Sequence, residues 1–169
     1  MTPIAPHRPE PDLPFDPDLG PDEEPRGEHV KPHYTWRHLG LVALGGTIGT
    51  ALREAVTLTV PSLGAVPVAT LGINVVGAFG LGAVLEALTR RGDDAGSRRT
   101  LRLVFGTGLL GGFTTYSALA LDTTVLIGDG LWGSAALYAL ATVVVGAGAA
   151  WAGLSAAAAH HRHTTGALA

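Results

Sequence analysis

The sequence predicts an all-α membrane protein with four transmembrane helices, and three observations support that fold class. Four apolar segments of about 20 residues or more follow one another, and this is the length that a helix needs to cross a hydrocarbon core. Charged residues make up 15% of the chain, against about 25% in an average soluble domain. Between Leu103 and Ala159 there is no Lys or Arg, although a soluble protein needs charged faces along its whole length.

The N-terminal residues 1–34 form a separate segment that is rich in Pro, Asp and Glu. Such a segment cannot bury enough apolar surface to offset its loss of conformational entropy, so we expect a disordered tail. It lacks the basic start and the apolar core of a signal peptide. Residues 35–159 are the predicted four-helix transmembrane domain, and residues 160–169 are a short C-terminal tail. The chain has no cysteine, which excludes disulfides and thiolate metal sites.

The predicted spans are joined by short loops and contain many small residues. The spans cover residues 36–58, 66–88, 101–127 and 131–158. We predict a break in the third span near residues 111–115, because paired glycines followed by two threonines make a poor continuous helix. Gly and Ala let helices pack closely in lipid, but four thin helices enclose little space. We therefore expect any pore or binding site to lie between the two subunits of a dimer.

Positive charge is concentrated on one side of the predicted membrane domain. The basic residues beside the spans on that side are Lys31, Arg37, Arg90, Arg91, Arg98, Arg99, Arg102 and Arg162. The first and third loops hold no Lys or Arg, and short cytoplasmic loops carry the excess of positive charge. We therefore predict a multi-pass protein of the plasma membrane, surrounded by lipid, with both termini in the cytoplasm. These residues form no basic stripe on a folded surface, so no nucleic-acid partner is expected.

Polar groups interrupt three of the apolar segments, and such groups inside a membrane mark candidate functional sites. Arg53, near the end of the first span, is either an interfacial side chain paired with Glu54 or a fixed positive charge that attracts an anion. Asn74, with Thr70 one turn before it, is either a clamp between helices or an amide donor that faces an anion. Carbonyl groups freed by the break at residues 111–115 are candidate ligands of a small cation.

Three motifs, taken together and in this order, resemble the Fluc/CrcB family of fluoride channels. The first-span sequence GGTIGTALR ends at Arg53, the second-span sequence TLGINVVGAF contains Asn74, and GGFTTYS covers residues 111–117. The resemblance extends over about residues 36–158 and leaves out the N-terminal tail. It implies a protein that exports cytoplasmic fluoride passively and is not an enzyme. It also implies an antiparallel dimer with two pores at the subunit interface.

The same resemblance implies roles for individual residues. The fluoride pathway would include Asn74 as the pore amide, Thr70 and Ser117 as hydroxyl ligands, Tyr116, and Arg53 near the vestibule. The carbonyl groups of Gly111 and Thr114 from both subunits would hold a structural Na+ at the centre of the dimer. Asp122, Tyr138 and Thr142 would form a polar track, and the last two share a helix face by their spacing.

The chain departs from the family pattern in two ways. Tyr116 and Leu119 stand where the family typically has two phenylalanines, and leucine has no aromatic ring edge to present to an anion. The charge bias favours a single orientation, whereas an antiparallel homodimer must insert the same sequence both ways. Both departures favour a heterodimer with a paralogous subunit. Two alternatives remain open, a non-conducting partner subunit and a small multidrug-type transporter, although the latter normally has a carboxylate in its first helix.

Overall fold

The computed structural model describes residues 35–90 and 96–166, with side chains as far as residue 162. Its helices are α1 (Trp36–Thr59), α2 (Val68–Thr89), α3 (Ser97–Leu101), α4 (Gly111–Phe113), α5 (Tyr116–Gly128) and α6 (Trp132–Gly166), with a π-helix, Arg102–Leu110, between α3 and α4. Four stretches are long and apolar enough to cross a membrane, the third being Ser97–Gly128. The predicted all-α class with four transmembrane segments is therefore confirmed. The predicted N-terminal tail, residues 1–34, lies outside the described residues.

Two helix ends differ from the sequence prediction for physical reasons. Helix α2 begins at Val68, after Pro67, because Leu63 and Val66 pair in a tight turn that has Gly64 at a φ of 63°. Helix α6 continues to Gly166, well past residue 158. Hydropathy locates the point where a helix leaves the lipid, and the sequence after Ala158 contains neither proline nor glycine until Gly166, so the helix itself continues.

Helix α1 packs against the third span through backbone contacts. A Cβ built at Gly45 would overlap the carbonyl oxygen of Val104, and one built at Gly49 would overlap that of Leu109. From the opposite side, a Cβ at Gly112 would lie 3.0 Å from the Cα of Gly46. Glycine is thus required at these positions, because close backbone approach replaces the hydrophobic drive that is missing between helices in lipid.

Helix α2 packs against α6 in the same way. A Cβ at Gly82 would overlap the carbonyl oxygen of Ala150, and a Cβ at Gly153 would overlap that of Phe79. Larger side chains fill the space between α5 and α6, where Leu119, Leu126, Ala135 and Tyr138 form a buried cluster. The protomer is therefore held by two glycine-mediated helix pairs and one small apolar core.

Most large apolar side chains point outward. Trp36 is 88% exposed, Leu137 68% and Trp151 73%. A soluble monomer rarely exposes apolar patches of this extent to water. Lipid chains or a second subunit can cover the same side chains without exposing them to water. This surface agrees with the membrane location that the apolar segments predicted.

The π-helix is a feature that the sequence prediction missed. It spans Arg102–Leu110 and contains Gly106 and Gly108, both buried. Gly108 lies so close to α1 that a Cβ there would be 2.8 Å from the Val42 carbonyl oxygen and 3.0 Å from the Cα of Gly45. A π-helix shifts backbone hydrogen bonds by one residue, and here only the single turn of α4 separates it from the break of the third span.

Candidate functional site

The third span is broken at two residues. Helix α4 ends at Phe113, Thr114 has φ −73° and ψ 154°, Thr115 has φ −150° and ψ 120°, and α5 begins at Tyr116. Both threonines are therefore extended in the middle of a transmembrane segment. The break is shorter than the sequence predicted, because residues 111–113 remain helical. In the last helical hydrogen bond before the break, the Thr114 N–H donates to the Leu110 carbonyl at 3.0 Å.

The side chain of Asn74 satisfies the backbone of the break. Its Nδ2 donates to the Thr115 carbonyl oxygen at 2.9 Å, and its Oδ1 accepts from the Thr115 N–H at 2.7 Å. Gly77, three residues further along α2, contacts the Thr114 methyl group so closely that a Cβ there would overlap it. One side-chain amide thus pairs both backbone polar groups of Thr115, which lipid could not do. These contacts are those of a clamp between helices, and they use one of the two amide hydrogens.

Thr115 also caps the N-terminus of the next helix, α5. Its side-chain oxygen accepts from the Ala118 N–H at 3.1 Å, which is the usual role of an N-cap threonine, and it lies 3.1 Å from the Ser117 Oγ. Thr115 is 7% exposed. The sequence analysis missed this residue as a site position, although a threonine placed directly before a helix start is a recognisable N-cap signal.

The contacts at the break divert two N–H groups from their helical acceptors. In a continuous helix the N–H of Thr115 would donate to the carbonyl of Gly111, and that of Ala118 to the carbonyl of Thr114. Here the first donates to Asn74 and the second to the Thr115 hydroxyl. The Gly112 carbonyl between them accepts from the Thr50 hydroxyl of α1 at 3.4 Å, a contact that the sequence did not reveal. The backbone carbonyls of Gly111 and Thr114 are thus among those that lose their helical donors at the break.

A second polar cluster joins α5, α6 and the start of α2. The Tyr138 hydroxyl donates to Asp122 Oδ2 at 2.9 Å and lies 3.4 Å from the Pro67 carbonyl oxygen. The Thr70 side chain lies beside the Tyr138 hydroxyl. Thr70 and Tyr138 are 5% and 3% exposed. Although Thr70 and Asn74 lie one turn apart, Thr70 belongs to this cluster and Asn74 to the break.

The polar track that was predicted on α6 lies inside the protomer. Thr142 is 3% exposed, and its hydroxyl donates to the Tyr138 carbonyl at 2.7 Å. Asp122 contacts the same tyrosine from α5. The three residues therefore lie together inside a single protomer, where the Tyr138–Asp122 hydrogen bond joins α6 to α5 and the Thr142 hydroxyl bonds within α6.

Replacing Tyr138 with phenylalanine should lower the free energy of unfolding by about 1–3 kcal/mol, because the Asp122 carboxyl loses a buried donor. Asp122→Asn alone should cost less, because the amide oxygen can still accept from Tyr138. The double variant should cost less than the sum of the two, since both changes act on one shared contact. Thermal unfolding in detergent measures the effect. Thr124→Val is the matched control, because Thr124 is exposed and its hydroxyl bonds only to its own helix. Equal melting temperatures for Tyr138→Phe and the control would contradict the assigned contact.

The remaining candidate residues lie at the protomer surface. Tyr116 is 82% exposed, and Ser117 beside it is also exposed. Leu119, by contrast, is buried against α6. Arg53 is half-buried on α1, and among the described residues it takes part in no ion pair, with Glu54 or any other acid. No three His, Asp or Glu side chains gather in the described part of the chain.

Comparison with known proteins identifies the family. Residues 40–154 match the sequence profile described as CrcB-like protein, Camphor Resistance (CrcB). The chain belongs to the CrcB family. Among its CrcB relatives, it is 49% identical over 127 residues to "Fluoride-specific ion channel FluC 2" of Leifsonia xyli subsp. xyli, covering 75% of this chain and 88% of that protein. It is 51% identical over 116 residues to "Fluoride-specific ion channel FluC 1" of Cutibacterium acnes, covering 67% and 80%.

Proposed function

We propose that this CrcB chain is a subunit of a fluoride-specific channel that lets cytoplasmic fluoride leave the cell passively and so lowers its toxicity. The family match and the names of the relatives support this function, and nothing among them favours a multidrug-type transporter. The observation that carries the proposal is the Asn74 amide, which is held by two hydrogen bonds at a break in the third span. The protein conducts an ion, so no catalytic residues are assigned.

Fluoride is small and strongly hydrated, so its pathway must supply donors in place of water. The second amide hydrogen of Asn74 and the exposed hydroxyls of Tyr116 and Ser117 lie beside the break. Neutral donors hold an anion weakly enough for it to leave again, which conduction requires. Arg53 contributes positive charge at the far end of α1 and attracts the anion toward the membrane. Thr70 supports this path indirectly, through its contact with Tyr138.

The carbonyl groups of Gly111 and Thr114 fit a structural Na+, because hard cations prefer oxygen ligands and these two groups have lost their helical donors. Oxygens from both subunits would complete the coordination. When bound, the ion supplies positive charge that lowers the cost of bringing an anion to the middle of the membrane. The contribution of this chain is to hold the two carbonyls in place through Asn74 and the Thr115 hydroxyl.

The exposed side chains beside the break favour a subunit interface at this position. A phenol group facing hydrocarbon without a partner costs free energy, and Tyr116 is 82% exposed in the protomer. An antiparallel partner would cover Tyr116 and Ser117 and would place the same donors on the other side of a pore. Leu119 lies in the protomer core, so a partner subunit would have to provide any second aromatic edge.

The charge distribution favours a heterodimer. At the end of the bundle where α2 ends and α3 begins, the described residues include Arg90, Arg98, Arg99 and Arg102. This end would face the cytoplasm, so that both termini are inside and the chain inserts in one orientation in the plasma membrane. A related subunit of opposite orientation would complete the antiparallel dimer.

Expression in cells that lack fluoride export tests this assembly. The chain alone should give no more fluoride resistance than an empty vector, whereas co-expression with a related four-helix chain from the same genome should restore it. The control is the related chain alone, at matched membrane levels. Full resistance from this chain by itself would contradict the heterodimer and would leave the fluoride function intact.

A further inference from the structure

A cavity of about 510 Å³ lies between the C-terminal parts of α2 and α6. It is separate from the break, since it begins beyond Gly82 along α2. Four small apolar side chains line it, those of Ala83, Val84, Ala87 and Ala157. The rest of its wall is polar and consists of Arg90, His160 and His161. The cavity thus has an apolar part toward the membrane interior and an N–H-bearing rim at the end of the spans.

The packing of the two helices explains why this space exists. At Gly82 and Gly153 the backbones of α2 and α6 are in direct contact. One to two turns further on, the facing side chains are Ala87 and Ala157, and methyl groups are too small to fill the gap between two helices. The bundle therefore ends in an open cleft that reaches the level of Arg90.

The charge around the cleft favours an anion. The Arg90 Nε contacts Glu86 in an ion pair, which leaves the terminal guanidinium nitrogens to donate elsewhere. The imidazoles of His160 and His161 line the same rim. By sequence, the loop 91–95, which lies outside the described residues, adds Arg91, Asp93 and Asp94 to this end. Within the described residues 35–42, 84–90, 96–105 and 156–162, Glu86 is the one acid, and it stands against six arginines. These are Arg37, Arg90, Arg98, Arg99, Arg102 and Arg162.

We propose that this cleft binds the phosphate headgroup of an anionic phospholipid, with the glycerol and upper acyl chain against its apolar wall. Arginine and imidazole N–H groups form charge-assisted hydrogen bonds to phosphate oxygens. Basic pockets between transmembrane helices are a known setting for such headgroups. The apolar wall distinguishes a lipid from free phosphate, because inorganic phosphate would leave Ala83, Ala87 and Ala157 uncovered. The lipid would hold the ends of α2 and α6 together where their direct packing stops.

Native mass spectrometry of the full-length chain in detergent tests this proposal. It compares how strongly the protein retains phosphatidylglycerol and phosphatidylcholine of identical acyl chains. Wild type should retain phosphatidylglycerol about five-fold more strongly than phosphatidylcholine. Arg90→Gln should remove most of that preference, and Ala157→Phe should do so by filling the cleft without changing charge. Arg37→Gln is the matched control, since it removes one positive charge at the same membrane side but outside the cleft. Each variant is compared only if it elutes from a size-exclusion column at the same volume as wild type, which shows that it is folded.

Three results would overturn the proposal. Equal retention of the two lipids would exclude headgroup recognition. Equal losses in Arg37→Gln and Arg90→Gln would indicate general surface charge instead of a site. Displacement of phosphatidylglycerol by millimolar inorganic phosphate would assign the cleft to free phosphate. None of these results depends on fluoride transport, so the lipid site and the channel function are tested separately.

Discussion

Asn74→Asp should abolish fluoride flux, with a loss of at least about 100-fold. The aspartate would still accept from the Thr115 N–H, but its second oxygen would face the Thr115 carbonyl oxygen, which now receives a hydrogen bond at 2.9 Å. A carboxylate has no N–H to donate, and an unpaired charge inside a membrane protein costs several kcal/mol. The substitution would therefore open the break and repel the anion at the same time. Fluoride-electrode efflux from proteoliposomes measures the loss.

Two companion variants separate the possible causes. Asn74→Ala removes the clamp without adding charge, so it should lower the melting temperature as well as the flux, because both Thr115 backbone groups lose a partner. Thr57→Val, the control, removes an exposed hydroxyl that bonds only within α1 and should leave both unchanged. Wild-type flux in a well-folded Asn74→Asp protein would remove Asn74 from the pathway.

Gly49→Ala should lower the free energy of unfolding by about 3 kcal/mol or more, since the added Cβ would overlap the Leu109 carbonyl oxygen and force α1 away from the third span. Backbone cannot move aside as a flexible side chain can. The displacement would also carry away Thr50, whose hydroxyl reaches the Gly112 carbonyl beside the break. We therefore expect a lower melting temperature in detergent and a loss of flux together.

Gly40→Ala is the matched control for this variant. Gly40 lies on the same helix, and a Cβ there would meet nothing within 4 Å. Alanine should stabilise that position slightly, by up to about 1 kcal/mol, through its higher helix propensity. If Gly49→Ala melted at the same temperature as Gly40→Ala, the close packing of α1 against the third span would be wrong.

The parts of the fold that local sequence determines were predictable. Span length depends only on consecutive apolar residues, so all four transmembrane segments could be identified. The break near Thr114 followed from local helix propensity, although its extent did not. Residues 111–113 stay helical because tertiary contacts, such as that of Gly112 with Gly46, outweigh the weak propensity of glycine.

The contacts of the candidate site were not predictable, because they join residues far apart in the chain. The sequence left Asn74 open as a clamp or as a donor, and only the fold shows that its amide meets Thr115. Thr70 shares a helix face with Asn74, yet α6 brings Tyr138 to it. The π-helix depends on how closely Gly108 approaches α1, and no local pattern encodes that distance.

The most direct test of the central claim is fluoride efflux from liposomes that contain the chain purified from its own host, so that any partner subunit is retained. The liposomes are loaded with fluoride and chloride together, and two ion-selective electrodes follow their release. The account predicts rapid loss of fluoride with chloride retained, and no fluoride loss from the matching Asn74→Asp preparation. Equal release of both halides, or no fluoride release from the intact assembly, would contradict it.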